Sequence, residues 1–346
     1  MTALLSELDL RKNYLGVESI ASIYFGGGTP SLLPTSDLAI QLQKIFSTFN
    51  VDRDAEITIE ANPDDITEDK LQDWKNAGVN RVSIGIQSFF DEDLKWMNRA
   101  HNSKQAIRSL EAAIKYFDNI TVDLIYGTPL LTNEKWKENV ARITSSGIPH
   151  LSCYALTVEP KTPLYKMIRH HRAPDIDGDK QSEQFLLLME WLERAGYEHY
   201  EISNFAKRGY RSRHNSSYWE GKKYIGIGPA AHSYNGVSRQ WNISNNNSYV
   251  DAIKNSIIPC EKEILTPVQK VNEYIMTSLR TIEGLDLNRL GEDAGQVRSA
   301  SEKYIERKLV VQEQDHLKLT NAGKLFADGI ASGFFITEKS RLKSIF

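Results

Sequence analysis

The stretch Ile20-Ala21-Ser22-Ile23-Tyr24-Phe25-Gly26-Gly27-Gly28-Thr29-Pro30 sets the fold class. A short apolar run with isoleucines at two positions has the character of a buried strand. It stops abruptly in three glycines, and residues 31–42 then have the character of a turn and a helix. Glycine lets a backbone approach a ligand closely or take up positive φ. Thr29 adds a hydroxyl and Pro30 stiffens the exit. Taken alone, such a triplet serves equally well as a plain strand-to-helix turn.

The same grammar recurs downstream. Strand-like runs cover residues 56–61, 81–87, 119–126, 150–156 and 199–203, and helical spacing of apolar residues covers 38–49, 69–77, 103–116, 133–145 and 180–195. Gly78, Gly147 and Gly196 sit just past helices, where a left-handed cap is wanted. Strand–helix alternation builds a parallel sheet flanked by helices, and near-continuous apolar strands fit a sheet covered on both faces. Six such units without a dinucleotide fingerprint point to an α/β partial barrel, whose ligands gather beyond the C-terminal strand ends. Those ends carry the glycine triplet, Glu60, Gln87 and Asp123, and then Tyr154-Ala155-Leu156-Thr157. One such carboxylate is usually just hydrogen-bonded to a loop amide, but several on one rim make a ligand site.

Composition narrows the classes. Against 42 Lys and Arg stand 45 Asp and Glu, a formal net charge of -3, which argues against a dedicated polyanion binder. No apolar run approaches the roughly 18 residues of a membrane span. Residues 1–15 are charged and amphipathic, unlike a secretory signal. Two distant cysteines, Cys153 and Cys260, imply no disulfide framework and fit a reducing, cytoplasmic compartment. Residues 1–14 have the spacing of a helix whose apolar face is Leu4, Leu5, Leu8 and Leu10, with Glu7 and Arg11 directed elsewhere.

After residue 203 the pattern changes. Residues 204–243 are rich in Gly, Tyr, Trp, Arg and His, and include His214-Asn215-Ser216-Ser217-Tyr218-Trp219. Residues 242–248 are asparagine-rich and suggest a surface loop. Beyond them, helices are expected at 268–281, 285–289 and 297–307, a hairpin at 309–313 and 316–319, and a last helix capped by Thr320. Helices with a hairpin make a small winged-helix-like α+β unit. It lacks a basic recognition helix, so a nucleic-acid partner is not expected. The expected divisions are 1–206, 207–262 and 263–346.

Five motifs in this order carry a resemblance: residues 23–31, Ile59-Glu60-Ala61-Asn62-Pro63, residues 81–89, Asn98-Arg99-Ala100-His101 and the strand that holds Asp123. Together they resemble radical S-adenosylmethionine proteins of the oxygen-independent coproporphyrinogen III oxidase group, over nearly the whole chain. The resemblance implies a partial (β/α)6 barrel, here lacking its first strand. It implies that Gly27, Gly28 and Thr29 hold the methionine part of S-adenosylmethionine. Glu60, Gln87 and Asp123 would then meet the polar groups, including the ribose hydroxyls. Arg99 would face the carboxylate, and Ala155 would lie near the adenine.

Members of this group open with a Cys-x-x-x-Cys-x-x-Cys loop that holds a [4Fe-4S] cluster. Neither Cys153 nor Cys260 matches it, so the cluster is expected only in full-length family members. The chain as written is expected to generate no 5′-deoxyadenosyl radical. Either its beginning lies upstream or was trimmed, or it is a cluster-free relative.

The His-Asn-x-x-Tyr-Trp motif resembles the heme-chaperone branch of the group and is absent from the true oxidases. It implies heme contact by His214, Asn215, Tyr218 and Trp219, with His214 as an iron ligand. Lys207, Arg208, Arg211 and Arg213 are suited to pair with propionates, whereas His170, His171 and His232 are expected to be structural or surface residues. The leading expectation is a heme chaperone serving a heme-accepting protein, with membrane contact only through that acceptor. The alternatives are a coproporphyrinogen III oxidase and a cluster-free binding protein.

Overall fold

The computed structural model describes residues 1–16 and 18–337; the end of the expected third division, 338–346, lies outside the described residues. Seven strands form one sheet: β1 (Ile20–Phe25), β2 (Val51–Ala61), β3 (Arg81–Gln87), β4 (Ile120–Tyr126), β5 (His150–Ala155), β6 (Glu198–Glu201) and β7 (Asn204–Ala206). Their order is β1-β2-β3-β4-β5-β7-β6. From β2 to β5 every pairing is parallel, as the alternation requires.

Helices follow the strands at Thr35–Thr48, Glu68–Ala77, Ser103–Tyr116, Asn133–Ser145 and Gly178–Arg194. Local chemistry fixes several starts. Asn102 and Gln105 form a reciprocal capping box, and the Thr132 hydroxyl accepts from the Lys135 amide. The buried faces carry Leu71 and Trp74, Leu110, Trp136 and Val140, and Leu188 and Leu192. Strand interiors such as Val82, Ile84, Val122, Leu124 and Leu151 are fully buried.

The chain departs from expectation at the sheet's far end. The sixth strand does not pair with β5. Instead β7, three residues long, inserts antiparallel to both neighbours. β2 also begins five residues earlier than the run at 56–61; Asp52, Arg53 and Asp54, half-buried or exposed, interrupt the apolar pattern there.

Two compact units emerge. One comprises Tyr24–Leu32 and Ile57–Ser212; the other comprises Met1–Ile23, Leu33–Glu56 and Arg213–Phe346. In the second, β8 (His232–Tyr234), β9 (Ser238–Asn242) and β10 (Cys260–Ile264) form an antiparallel sheet. Of the asparagine-rich segment 242–248, Asn242 ends β9 and 243–245 are a loop as expected, but a helix, Asn246–Lys254, starts there, with Asn245 accepting from the Ser248 amide as its cap.

The first helix, Thr2–Leu10, is shorter than expected and buries Glu7 beside Leu8. Glu7 and Arg11 pair at 2.8 Å with almost no exposure. Glu7 also accepts from the Gly228 amide, the Asn242 amide group and the Tyr249 hydroxyl. Arg11 donates to Gln240 and Asn242. A buried ion pair stands when its remaining hydrogen-bonding capacity is met, and here it is.

The C-terminal residues have their own core of Ile275, Leu279, Leu285, Leu290, Val297, Leu317 and Phe334. β11 (Leu285–Asp286), β12 (Val310–Glu313) and β13 (His316–Leu319) form a small sheet with β13 central. The expected helix at 285–289 is instead β11 followed by a 3-10 turn. The expected hairpin and the Thr320 cap are present. No helix among the described residues is long and apolar enough to cross a membrane.

Candidate functional site

The glycine loop is gripped by Glu60. One carboxylate oxygen accepts from the Gly27 amide at 3.1 Å, and the other accepts from the Tyr24 hydroxyl at 2.7 Å. Gly27 and Gly28 take φ of 77° and 63°, and a Cβ at either would have nothing within 4 Å, so conformation rather than crowding demands glycine there. Gly26 differs. A Cβ there would sit 2.5 Å from the Tyr24 ring and 3.1 Å from Glu60. Thr29 closes the loop, its carbonyl accepting from the Leu32 amide. Gly26, Gly27 and Gly28 are exposed.

Asp123, on β4, faces the Ser83 hydroxyl of β3 at 3.4 Å from both carboxylate oxygens. Burial pushes its pKa up to about 6, and the Glu60 charge adds to the rise. Hydrogen bonds from Ser152 and Ser83 and the nearby Arg81 guanidinium oppose it. Glu60 and Asp123 are therefore electrostatic neighbours, as their places on the strands suggest.

Gln87 and Arg99 converge above Gly85. A Cβ at Gly85 would lie 2.9 Å from the Gln87 amide nitrogen and 3.6 Å from the Arg99 guanidinium. Arg99 also donates to the Asn62 side chain at 3.3 Å. Gln87 adopts a positive φ of 65°, and the β3–β4 register slips between Ile84 and Gln87. A bulge re-aims a side chain at some cost in strain, and such features cluster at functional sites. Ala155 ends β5 opposite Tyr126.

Thus Gly27, Glu60 and Asp123 form one connected group, and Gln87 and Arg99 form another on the same unit. Asn62, at the end of β2, supports them, as do Tyr24, Ser83 and Ser152, which escape a reading of strand ends alone. The mid-strand Gly85 was the available signal for the Gln87–Arg99 pair.

His214 lies on the helix Arg213–Trp219. Its Nδ1 is 3.1 Å from the Ser22 hydroxyl. The Arg213 and His214 amides each donate to one oxygen of Glu56 at 3.0 Å. The Tyr218 ring meets the imidazole edge-on at 5.0 Å, and Tyr224 meets Tyr218 likewise at 4.8 Å. Tyr218 is 39% exposed, so this aromatic ladder opens to solvent. Trp219 lies under the Arg280 guanidinium at 5.3 Å, and its buried Nε1 has no hydrogen-bond partner among the described residues. Asn215 shares the helix and is half-buried.

The basic run upstream is partly committed. Arg211 pairs with Glu198 and Arg213 with Asp54, which leaves them less suited to propionates than the sequence suggested. A cavity of about 690 Å³ is lined by Pro160, Lys161, Tyr165, Lys166, Arg169 and His170; none of the expected site residues lines it. Cys153 is buried and its thiol pKa is pushed well up by that burial; Cys260 is half-buried in β10. Among the described residues no group of three or more His, Cys, Asp or Glu is placed to hold a metal ion.

Comparison with known proteins agrees with this architecture. The Radical SAM superfamily is matched over residues 8–143, and the HemN C-terminal domain over residues 265–326. The solved coproporphyrinogen III oxidase (HemN) of Escherichia coli shares the fold with a TM-score of 0.81 at 20% identity, covering 96% of this chain and 82% of that one. The sheet is thus the partial barrel of that fold. A heme chaperone HemW of Mycobacterium tuberculosis is 34% identical over 332 residues, 95% of this chain and 84% of its own. One of Bacillus subtilis is 32% identical over 327 residues, 92% of this chain and 86% of its own. By kinship along nearly its whole length, the chain belongs to the HemW family of radical SAM proteins.

Proposed function

We propose that this protein is a heme chaperone that binds heme at His214 and passes it to a heme-accepting protein in the cytoplasm. One observation carries the reading: an imidazole anchored at its backbone and at Nδ1 stands beside a partly exposed ladder of tyrosines. Imidazole is a common axial ligand of heme iron, and aromatic rings pack against a porphyrin face. Tyr218, Trp219 and Asn215 complete the proposed contact surface. Hemin titration followed at the Soret band tests it. Replacing His214 by alanine is expected to weaken binding at least about tenfold and shift the band, as loss of a metal ligand does. An unchanged titration ends the assignment.

The second proposed ligand is S-adenosylmethionine. Its donor and acceptor needs match the residues present. Gly27 and Gly28, exposed and at positive φ, let a ligand approach the backbone closely and with Thr29 suit the amino-acid end, the Gly27 amide itself being held by Glu60. The Arg99 guanidinium suits a carboxylate, and Asp123 and Gln87 suit hydroxyls. Ala155, with its small side chain at the end of β5, suits a flat base. Glu60, with both oxygens engaged, acts mainly by holding the loop. A [4Fe-4S] cluster does not fit the residues present, since only Cys153 and Cys260 offer thiols.

Asp123 gives this site a pH dependence. A carboxylate accepts hydroxyl hydrogen bonds best when ionised, and its pKa stands at about 6. Affinity is expected to fall about tenfold per unit as pH drops below that value, because one proton must be shed before binding. Calorimetry between about pH 5 and 7.5 reads this, and Asp123→Asn is expected to flatten the slope. The sign for folding is the reverse. Above its ordinary value of 3.8 and up to about 6, the folded group keeps a proton that the unfolded chain releases. This residue's contribution to stability is therefore lost as pH rises through that window.

A further inference from the structure

We infer that Ser22 and Glu56 position His214 for heme iron, fixing which ring nitrogen faces the metal; the inference rests on the heme reading above. Neither residue belongs to the His-Asn-x-x-Tyr-Trp motif, and they lie 192 and 158 residues from His214 in sequence. Ser22, on β1, places its hydroxyl 3.1 Å from Nδ1. An imidazole that ligates a metal characteristically gives its other ring N–H to an oxygen, which sets tautomer and ring plane. With Nδ1–H donated to the Ser22 hydroxyl, Nε2 carries the lone pair and becomes the ligating atom.

Glu56 works on the backbone. It is only 5% exposed, yet its carboxylate is held by two amides, those of Arg213 and His214, at 3.0 Å each. A buried carboxylate needs such donors, and in return it pins the residue that bears the imidazole. The Tyr218 ring, near-perpendicular to the imidazole with centroids 5.0 Å apart, then bounds it. Backbone and Nδ1 are thus restrained from two remote segments of chain, and the ring by Tyr218 of its own helix. A side chain on a seven-residue helix would not otherwise hold one orientation. Both act through His214 and are positioning residues.

The test uses the full chain and hemin, with Ser22→Ala, Ser22→Thr, Glu56→Gln and His214→Ala. Ser22→Ala is expected to weaken hemin binding about 10–100-fold, the usual effect of losing such a supporting hydrogen bond, and to change the Soret position. Ser22→Thr keeps a hydroxyl and is expected to restore both. Glu56→Gln keeps one good acceptor for two amides and is expected to fall between. Thermal unfolding midpoints control for the fold. If Glu56→Gln does not fold, the two serine variants decide. A Ser22→Ala protein that binds hemin with the parent's affinity and spectrum, while His214→Ala does not, overturns the inference and spares the heme reading. A His214→Ala protein that behaves as the parent overturns both.

Discussion

Replacing Trp136 by alanine is expected to destabilise the protein by about 3–5 kcal/mol, the range for emptying a buried tryptophan site. Trp136 is fully buried on the helix Asn133–Ser145. Its ring lies 5.6 Å from that of Tyr126 on β4, which in turn stacks on Phe185 of the helix Gly178–Arg194. Its indole N–H donates to the Gln184 carbonyl at 3.1 Å. The cavity would therefore open where two helices meet the strand that carries Asp123. Trp136→Phe keeps most of the volume and forfeits mainly the hydrogen bond, so about 1–3 kcal/mol is expected. Urea unfolding with an unchanged slope measures both. An alanine variant within about 1 kcal/mol of the parent would show that the neighbours collapse into the space.

Glu60→Ala is expected to lower S-adenosylmethionine affinity about 10–100-fold. Hydrogen bonds to a charged group contribute about 1.5–3 kcal/mol each, and part of that returns when water replaces the carboxylate. The loss falls on the loop: without Glu60 the Gly27 amide and the Tyr24 hydroxyl have no common anchor. Glu60→Gln presents one oxygen to Gly27 and an amide group to Tyr24, so it is expected to lie between. Calorimetric titration separates the three proteins. Equal affinity in all of them would mean that the loop holds its shape unaided.

Much of the unit that carries this site was legible in the sequence. β3 at Arg81–Gln87 and the helices Ser103–Tyr116 and Asn133–Ser145 end where the apolar pattern and the capping residues place them. Glu60 and Asp123 stood out because a carboxylate in an apolar strand needs a reason. The misses share a different physics. β7 is three residues of antiparallel pairing whose position depends on its partners rather than on its own pattern. The helix at Asn246–Lys254 hides behind asparagines, one of which is its cap. The bulge at Gln87 is set by cross-strand register, which no single strand reveals. Ser22 and Glu56 looked like ordinary strand residues, because contacts across 192 and 158 residues leave no local mark.

The ion pair of Glu7 and Arg11 constrains the order of folding during synthesis. Arg11 leaves the ribosome 231 residues before Asn242, one of its hydrogen-bond partners. At about 5–20 residues per second that is an interval on the order of tens of seconds. Through it the first helix has two charges to keep hydrated and no finished place to bury them. Residues 2–11 therefore stay in water until the segment from Gly228 to Tyr249 arrives, so a segment made early is among the last to settle.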